Sequence, residues 1–586
     1  MNGRQSERGP RARRAAVVAA LLLGAGLPAG CQALMHQTDQ DVERLIASKQ
    51  QAALARRTPA RVGLTDPLPH AGRSAYRRNP GATTGEVPAA FTTAATADTQ
   101  PAGTQPALPS TRPSGVLTLT AALAYAQQHR REYQSAKEDL YLAALALTLE
   151  RHLWTPIFSS NLRTVYGNYG EAQRFDQAMR FVADLSVAQR LPYGGEFTAA
   201  IVESLVRDVR KSITASEGGN LELGLRVPLL RGAGHVAREQ LIQLERELTY
   251  AVRTFERFRR QQLVTVASAY FNLLRLKQQV TDSEDSRERA RSDYERAAAL
   301  EEAGTGSLLD TQRAEQRLLE AENDLARTRE NFRAETDQFK IEIGMPVDEP
   351  LGYDDLEDIQ TIERGIAEGT YPLLARPVAV DDEPLAIAVA LERRFDLLTA
   401  QDRIDDARRG VAISRNALLP ELNWNSTGTF DTDPNHYNMA AFDWQRANWR
   451  SEIVLSLPLE RTAERNALLR ALITVQQAQR TWQARGEQIR ADVRSAVNGL
   501  RLQDTSLRIQ DRNVFVAGRQ AEYAELEFRE GRLNNRDKID AEKSLIAAQN
   551  ALNFAKTSRW VAILNFRLAT ETLEIDEDGT QIPAEP

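Results

Sequence analysis

LTLTAALAYAQQHRREYQSAKEDL, residues 117–140, resembles PLAIAVALERRFDLLTAQDRI, residues 384–404. At an offset of 264, Ala126 falls on Ala390, Ala136 on Ala400, Leu140 on Ile404 and Pro156 on Pro420. A second pair follows: LELGLRVPLLRG (221–232) and SEIVLSLPLERT (451–462), with Pro228 on Pro458. A third matches at an offset of 227, where Gly304 meets Gly531, Asp310 meets Asp537, Ala314 meets Ala541, Leu325 meets Leu552 and Phe339 meets Phe566. Matches in one order at nearly equal spacing describe a chain built twice.

Each half reads as helix, strands, long helix, helix. The opening helix is predicted over 118–154 and 385–418, stopped by Pro156 and Pro420, because the residue before a proline disfavours helical dihedrals. Leu221, Leu223, Leu225 and Val227 then alternate with Glu222, Gly224 and Arg226, and Ile453, Leu455 and Leu457 alternate with Val454 and Ser456. Period two with one apolar face predicts strands. A membrane barrel requires this pattern, and a half-buried soluble sheet reads the same way. The strand region of the first half is longer, with an additional candidate hairpin, ADLSVAQRLPYGGEFTAAIVES, turning at Tyr193-Gly194-Gly195. The shorter region fits two strands joined by the loop FDTDPNHYNMAAFDW.

Pro228 and Pro458 are expected at strand-to-helix joints, where a first helical turn tolerates a missing N–H. Residues 232–303 and 461–530 carry few breakers and predict helices roughly 105 Å long. Gly304 and Gly531 then read as turn tips. The returning helices carry the series Ala314, Leu318, Ala321, Leu325, Thr328, Phe332, Glu335, Phe339 and Ala541, Leu545, Ala548, Leu552, Ala555, Arg559, Ala562, Phe566. Steps of four and three form a coiled-coil seam, which a simple antiparallel hairpin also satisfies.

Aromatics make up only 6% of the 586 residues, which favours long helices over a mostly β chain. Arg4, Arg8, Arg11, Arg13 and Arg14 precede an apolar stretch, Ala15–Leu27, too short to span a bilayer comfortably. Pro28-Ala29-Gly30 leads to Cys31, so residues 1–31 read as an export signal of lipoprotein type, with Cys31 the lipidation candidate. The usual pattern has Leu where Pro28 stands, and a plain signal peptide cut nearby is the other reading. Cys31 is the only Cys, so no intramolecular disulfide exists. The full chain carries a net charge of −6, and without a basic leader the balance is more acidic still, which speaks against a nucleic-acid partner. A short polar helix is predicted over 36–56. Residues 58–115, rich in Ala, Pro, Thr, Gly and Arg, read as a tether too poor in large apolar residues to offset its ordering entropy.

Enzymatic chemistry finds no support. The six His show no HExxH spacing, no Cys pair offers a metal site, and no GxxxxGK loop is present. RGAGH (231–235) superficially suggests a phosphate-binding joint. No cofactor is expected.

The paired openings ending at Pro156 and Pro420, the strand-ending RVPLL and SLPLE, and the glycine turns EEAGTGSLLD and REGRLNNRDKID resemble the TolC-like outer-membrane efflux family over roughly 117–572. The resemblance implies a mainly α fold with a membrane β-barrel. In it, duplicated helix-strand-helix halves of a homotrimer form an α-helical barrel continued by a 12-stranded β-barrel, four strands from each subunit. Four strands leave two open edges, and lipid offers no partner for edge backbone groups, so copies must complete the wall. The division follows: 1–31 signal, 32–116 largely disordered tether, 117–344 first repeat, 345–384 inter-repeat equatorial segment, 385–572 second repeat, and 573–586 acidic tail.

The implied role is the passive exit duct of a tripartite efflux or type I secretion system, in the outer membrane with a periplasmic helical extension. Its partners would be a periplasmic adaptor (membrane fusion) protein meeting the tips at Gly304 and Gly531, an inner-membrane RND or ABC transporter, and outer-membrane lipid. In the family, acidic residues on the returning helix of the second half line the periplasmic aperture, and the matching positions are Asp537 and Asp540. Their spacing of three places both on one helical face, where each becomes a ring in an oligomer. Solvated surface acids beside Arg536 and Lys538 are the plainer reading. The sequence departs from the family at Leu533, where a larger basic residue is expected. A periplasmic coiled-coil adaptor or scaffold without channel activity is the rival reading, although an adaptor would carry one helical hairpin rather than two tandem half-repeats with strands.

Overall fold

The structure, a computed structural model, describes residues 30–54, 116–168, 177–208, 213–432, 442, 445, 447–530 and 532–575. Among them run ten α-helices: α1 (Gly30–Leu54), α2 (Leu119–His129), α3 (Arg131–His152), α4 (Glu239–Glu302), α5 (Leu308–Ile343), α6 (Ile359–Ala367), α7 (Glu383–Arg393), α8 (Phe395–Ala417), α9 (Thr462–Arg529) and α10 (Asn535–Ala569). Six strands accompany them: β1 (Ile157–Asn168), β2 (Gln177–Arg190), β3 (Glu196–Asp208), β4 (Ile213–Pro228), β5 (Glu421–Asp431) and β6 (Asn448–Ser456). Both halves therefore follow the predicted order. Most of the N-terminal tether, Cys31's side chain and Gly531 lie outside the described residues.

The predicted opening helices are each broken once, at positions related by the repeat offset. Arg130 (φ −69°, ψ 127°) separates α2 from α3, and Arg394 (φ −68°, ψ 121°) separates α7 from α8. Each arginine pairs with the acid two residues on: Arg130 Nε lies 3.0 Å from Glu132, and Arg394 Nη2 lies 2.7 Å from Asp396. An extended residue removes one turn of ladder, and the guanidinium clamps the restart of the next helix. Helix α1 begins earlier than the predicted 36–56 and buries Val42, Leu45 and Ile46, so this part of the expected tether is ordered.

The chain divides into two compact units. One falls within Met1–Pro59, Asp139–Arg257 and Leu391–Ala491, and contains all six strands. They form one antiparallel sheet in the order β1-β2-β3-β4-β5-β6. Where the resemblance implied four strands per subunit, the sheet has six among the described residues. The additional hairpin does not sit apart: β2 and β3 pair along their whole lengths and lie between β1 and β4. Their turn sits where expected, because Gly194 and Gly195 adopt φ of 97° and 96°, and a Cβ on Gly195 would meet Arg226 O at 2.1 Å.

The prolines act differently from expectation. Pro156 and Pro420 do separate helix from strand. Pro228, however, is the last residue of β4, and α4 starts only at Glu239, after a 3-10 turn over Gly234–Arg238. Leu229 N donates to Leu422 O at 2.7 Å, so the alternate position, Pro228, directs its missing N–H toward the place where β3 has ended. Pro458 likewise precedes α9 by several residues, and its carbonyl accepts from Arg461 Nε at 3.1 Å.

The second unit falls within Ala60–Glu138, Phe258–Ala390 and Asp492–Pro586. Its core packs Tyr270, Phe271, Phe339, Trp560 and Leu564 against the inter-repeat segment through Leu356, Ile359, Ile362 and Leu374. The ring centroids of Phe271 and Trp560 are 5.1 Å apart. Along the predicted seam, Ala314, Ala321, Leu325, Thr328, Phe332 and Phe339 are buried, as are Ala548, Ala555 and Phe566. Phe339 and Phe566, matched by the repeat, are both almost fully enclosed, a burial whose loss to Ala costs roughly 3–5 kcal/mol.

Candidate functional site

The sheet separates chemistry by face. Following the register from strand to strand, one face carries Phe158, Leu162 and Tyr166 on β1, and Phe181, Leu185 and Val187 on β2. It continues through Phe197, Ile201 and Leu205 on β3, and Leu221, Leu223, Leu225 and Val227 on β4. It ends with Leu422, Trp424 and Phe430 on β5 and Trp449, Ile453 and Leu455 on β6. Large apolar side chains here stand open: Phe158 is 73% exposed, Leu162 66% and Ile453 68%. Glu203 is a charged exception on this face.

The opposite face is polar, and directly opposed residues bond across it. Ser159 and Ser186 hydroxyls lie 2.7 Å apart, and Asn161 donates to Asp184 at 2.8 Å. Asn220 donates to Asp431 at 2.9 Å, and Asn425 to Glu452 at 3.1 Å. Such a sheet suits lipid on one side and water on the other, whereas a soluble protein would cover a contiguous apolar face of this size. No helix among the described residues is long and apolar enough to cross a membrane.

At the tip joining α4 to α5, Gly304 adopts φ 73° with open space around it. Gly306, which the sequence reading passed over, is the tighter constraint: a Cβ there would meet Glu301 N at 2.8 Å. Ser307 caps α5, accepting from Leu309 N at 3.2 Å. At the corresponding tip, Asn534 caps α10 by accepting from Asp537 N at 3.0 Å. Asp537 and Asp540 are both exposed on the first turns of α10, with Arg536 Nε 3.8 Å from Asp540.

Lys538 does not shade those acids. Its side chain is buried, with Nζ 2.9 Å from Asp293, 3.0 Å from Glu525 and 3.7 Å from Glu542. Burial opposes its charge, but hydrogen bonds to Asp293 and Glu525 outweigh this and raise its pKa. Burial pushes the Glu542 carboxyl up despite Lys538. Lys538 is thus taken up by other carboxylates, and this ion cluster joining α4, α9 and α10 was not found from the sequence. An acid three to four residues from a Lys is too common on helices to announce one.

The phosphate-loop resemblance at 231–235 is also resolved. Gly232 N donates to Asn416 Oδ1 at 2.7 Å and Gly234 N to Tyr193 O at 2.8 Å, so these amides serve internal contacts. Among the described residues, no group of His, Cys and carboxylates is arranged to hold a metal ion.

Comparison with known proteins agrees with this geometry. Residues 386–570 match the family model for Outer membrane efflux protein. Among solved structures, the chain is similar to the open-state MtrE outer membrane channel of Neisseria gonorrhoeae, at 14% identity and a TM-score of 0.55, covering 80% of this chain and 92% of that one. It is similar to VceC of Vibrio cholerae at 15% identity and a TM-score of 0.54, covering 77% and 95%. For the CmeC outer membrane channel of Campylobacter jejuni the values are 13%, 0.53, 79% and 86%. A search of curated proteins finds no match. Residues 386–570 thus carry an outer membrane efflux protein domain. The fold of the chain is that of these solved outer-membrane channels.

Proposed function

We propose that this protein is the outer-membrane exit duct of a tripartite efflux or type I secretion system. Copies, three by the family resemblance, close their sheets into a membrane barrel and their helices into a periplasmic cylinder. Substrates pass through from an inner-membrane RND or ABC transporter, which supplies the energy, by way of a periplasmic adaptor seated on the tips near Gly304 and Gly531. The observation that carries this reading is the open sheet with one apolar and one polar face, whose edges need partners that lipid cannot supply.

Asp537 and Asp540 form acidic rings at the aperture in this reading, and their exposure, with Lys538 committed to other carboxylates, supports it. Cys31 carries the lipid anchor, which intact-mass measurement of the mature protein tests. The duct is tested by single-channel recording of the purified protein in planar bilayers. Stable conductance with cation preference is expected, the preference falling in Asp537→Ala plus Asp540→Ala. An unchanged preference would remove the rings, and a soluble monomer without conductance would remove the duct.

A further inference from the structure

The strand order fixes how many strands each copy gives to a closed wall. β1 pairs with β2 and is not a neighbour of β4 in the sheet; β2 and β3 fill the interval between them. No barrel containing both β1 and β4 can leave that hairpin out. Nor does the hairpin look like a plug or flap, since β2 and β3 continue both faces of the sheet, with Phe181, Leu185, Phe197 and Ile201 on the apolar side and Asp184 on the polar side.

Resting on the duct reading, we propose that β6 of one copy pairs with β1 of the next, each copy supplying all six strands, so that three copies close an eighteen-stranded barrel. An even strand number in an antiparallel sheet makes β6 run opposite to β1, so the seam is antiparallel too. The faces then restrict its register. Apolar positions on β1 are even-numbered (Phe158, Leu162, Tyr166) and on β6 odd-numbered (Trp449, Ile453, Leu455), so each even position must oppose an odd one.

Charge chooses among the registers that satisfy this rule. Arg163 and Glu452 are both exposed on the polar face. Setting them opposite each other also sets Leu162 against Ile453, Tyr166 against Trp449 and Thr164 against Ser451. It places Ile157, the first residue of β1, beside Pro458, just past the end of β6, so the strand ends lie level. Slipping by two residues one way sets Arg163 against Arg450, which like charges oppose, and the other way sets it against Val454, which offers no counter-charge.

The chosen register also gives a sensible barrel. Directly opposed residues lead from Ile157 through Ala188, Thr198, Gly224 and Thr427 to Arg450. Arg450 would face Val165 of the next copy, an advance of about eight residues per copy. At roughly 3.3 Å per residue and 4.8 Å between strands, this is a tilt of about 40°, within the range closed barrels use. Diameter grows roughly linearly with strand number, so the pore is about half again as wide as one of twelve strands.

Two measurements on the full chain decide. Electron cryo-microscopy of the detergent-extracted oligomer should show eighteen strands from three copies; twelve strands, whether from two copies or with the β2–β3 hairpin outside the wall, would overturn the proposal. Oxidation of Leu162→Cys with Ile453→Cys should give covalent dimers and trimers, while Leu162→Cys with Ser451→Cys should not; the reverse result overturns the register. As a check against misfolding, Arg163→Glu should weaken the oligomer and Arg163→Glu with Glu452→Arg should restore it. A conducting twelve-stranded pore would remove this inference and leave the duct, whereas a non-conducting eighteen-stranded ring would do the opposite.

Discussion

Lys538 Nζ sits 2.9 Å from Asp293 Oδ1, tying the first turn of α10 to α4. The contact is buried, with Lys538 5% and Asp293 16% exposed, and Glu525 of α9 shares the ammonium. Lys538→Met would leave Asp293 without its ammonium partner and Glu525 with Arg529 alone. Removing one member of a buried ion pair costs roughly 3–5 kcal/mol. The expected outcome is faster hydrogen exchange across 525–545 and a lower Tm, while Lys538→Arg, which keeps the charge, loses less.

The same cluster predicts a pH response whose sign can be worked out group by group. Lys538 has a raised pKa, so its stabilisation is complete below the ordinary lysine range and fades as pH rises through the folded value. Glu542 has a raised pKa because of burial, so folding favours its protonated form and gains as pH falls through that value. Glu525 is also penalised by burial, yet Lys538 and Arg529 hold its pKa down, so its contribution is lost as pH falls. The two glutamates oppose each other in acid. Glu542→Gln is therefore expected to raise Tm at neutral pH, with the gain shrinking toward the acidic limb. A Tm series from pH 4 to 8 that shows a constant difference would contradict this.

The two glycines of the α4–α5 tip should respond unequally. Gly304 has open space but a left-handed backbone, so Gly304→Asn is expected to be mild and Gly304→Ala to cost about 1 kcal/mol. Gly306 has no room, because the Glu301 N and Leu300 C atoms that a Cβ would strike belong to the backbone of α4's last turns. Gly306→Ala must reshape the tip. Limited proteolysis at 300–308 should rise more for Gly306→Ala than for Gly304→Asn.

These contrasts show which parts of the molecule local sequence can announce. The duplication placed the long helices and the strands, because proline, glycine and alternating residues act on their own neighbourhoods. The breaks at Arg130 and Arg394 were hidden, since an arginine in an Ala- and Leu-rich run continues a helix unless a partner holds it extended, and here Glu132 and Asp396 do so. The strand number was misread for a related reason. The hairpin at 183–204 was legible, but its place between β1 and β4 is a fact of non-local pairing. Asp537 and Asp540 stood out by spacing, whereas Lys538 draws its meaning from Asp293, far away in the chain.

The faces of β4 offer a direct contrast between neighbours. Leu223 lies on the apolar face, opposite Ala199 and Gly428, and Glu222 on the polar one. In a membrane, Leu223→Arg is expected to cost about 2–4 kcal/mol if it lies near the bilayer centre. Glu222→Arg faces water and should change conductance rather than assembly. Heat-modifiable oligomers on gels distinguish them: loss of the oligomer for Leu223→Arg and its persistence for Glu222→Arg are expected, and equal behaviour would argue against a lipid-facing side.

Glu357, in the inter-repeat segment, gathers three donors of the second unit. Tyr270 Oη and Tyr371 Oη each donate at 2.9 Å, and Leu119 N at 3.1 Å. The two phenols need this acceptor: burial, and then the nearby Glu357 carboxylate, push both far above the ordinary tyrosine pKa, so each stays a neutral donor. Tyr270 also reaches Leu117 O at 2.8 Å and so keeps one partner without Glu357, but Tyr371 has no such second bond among those described. Glu357→Leu should leave Tyr371 Oη and Leu119 N short of acceptors, at about 1–3 kcal/mol for each group left buried and unsatisfied. Glu357→Gln keeps a carbonyl oxygen in place and should lose less. If chemical denaturation shows the two variants equally stable, the carboxylate is not what joins the start of the first repeat to the segment between the halves.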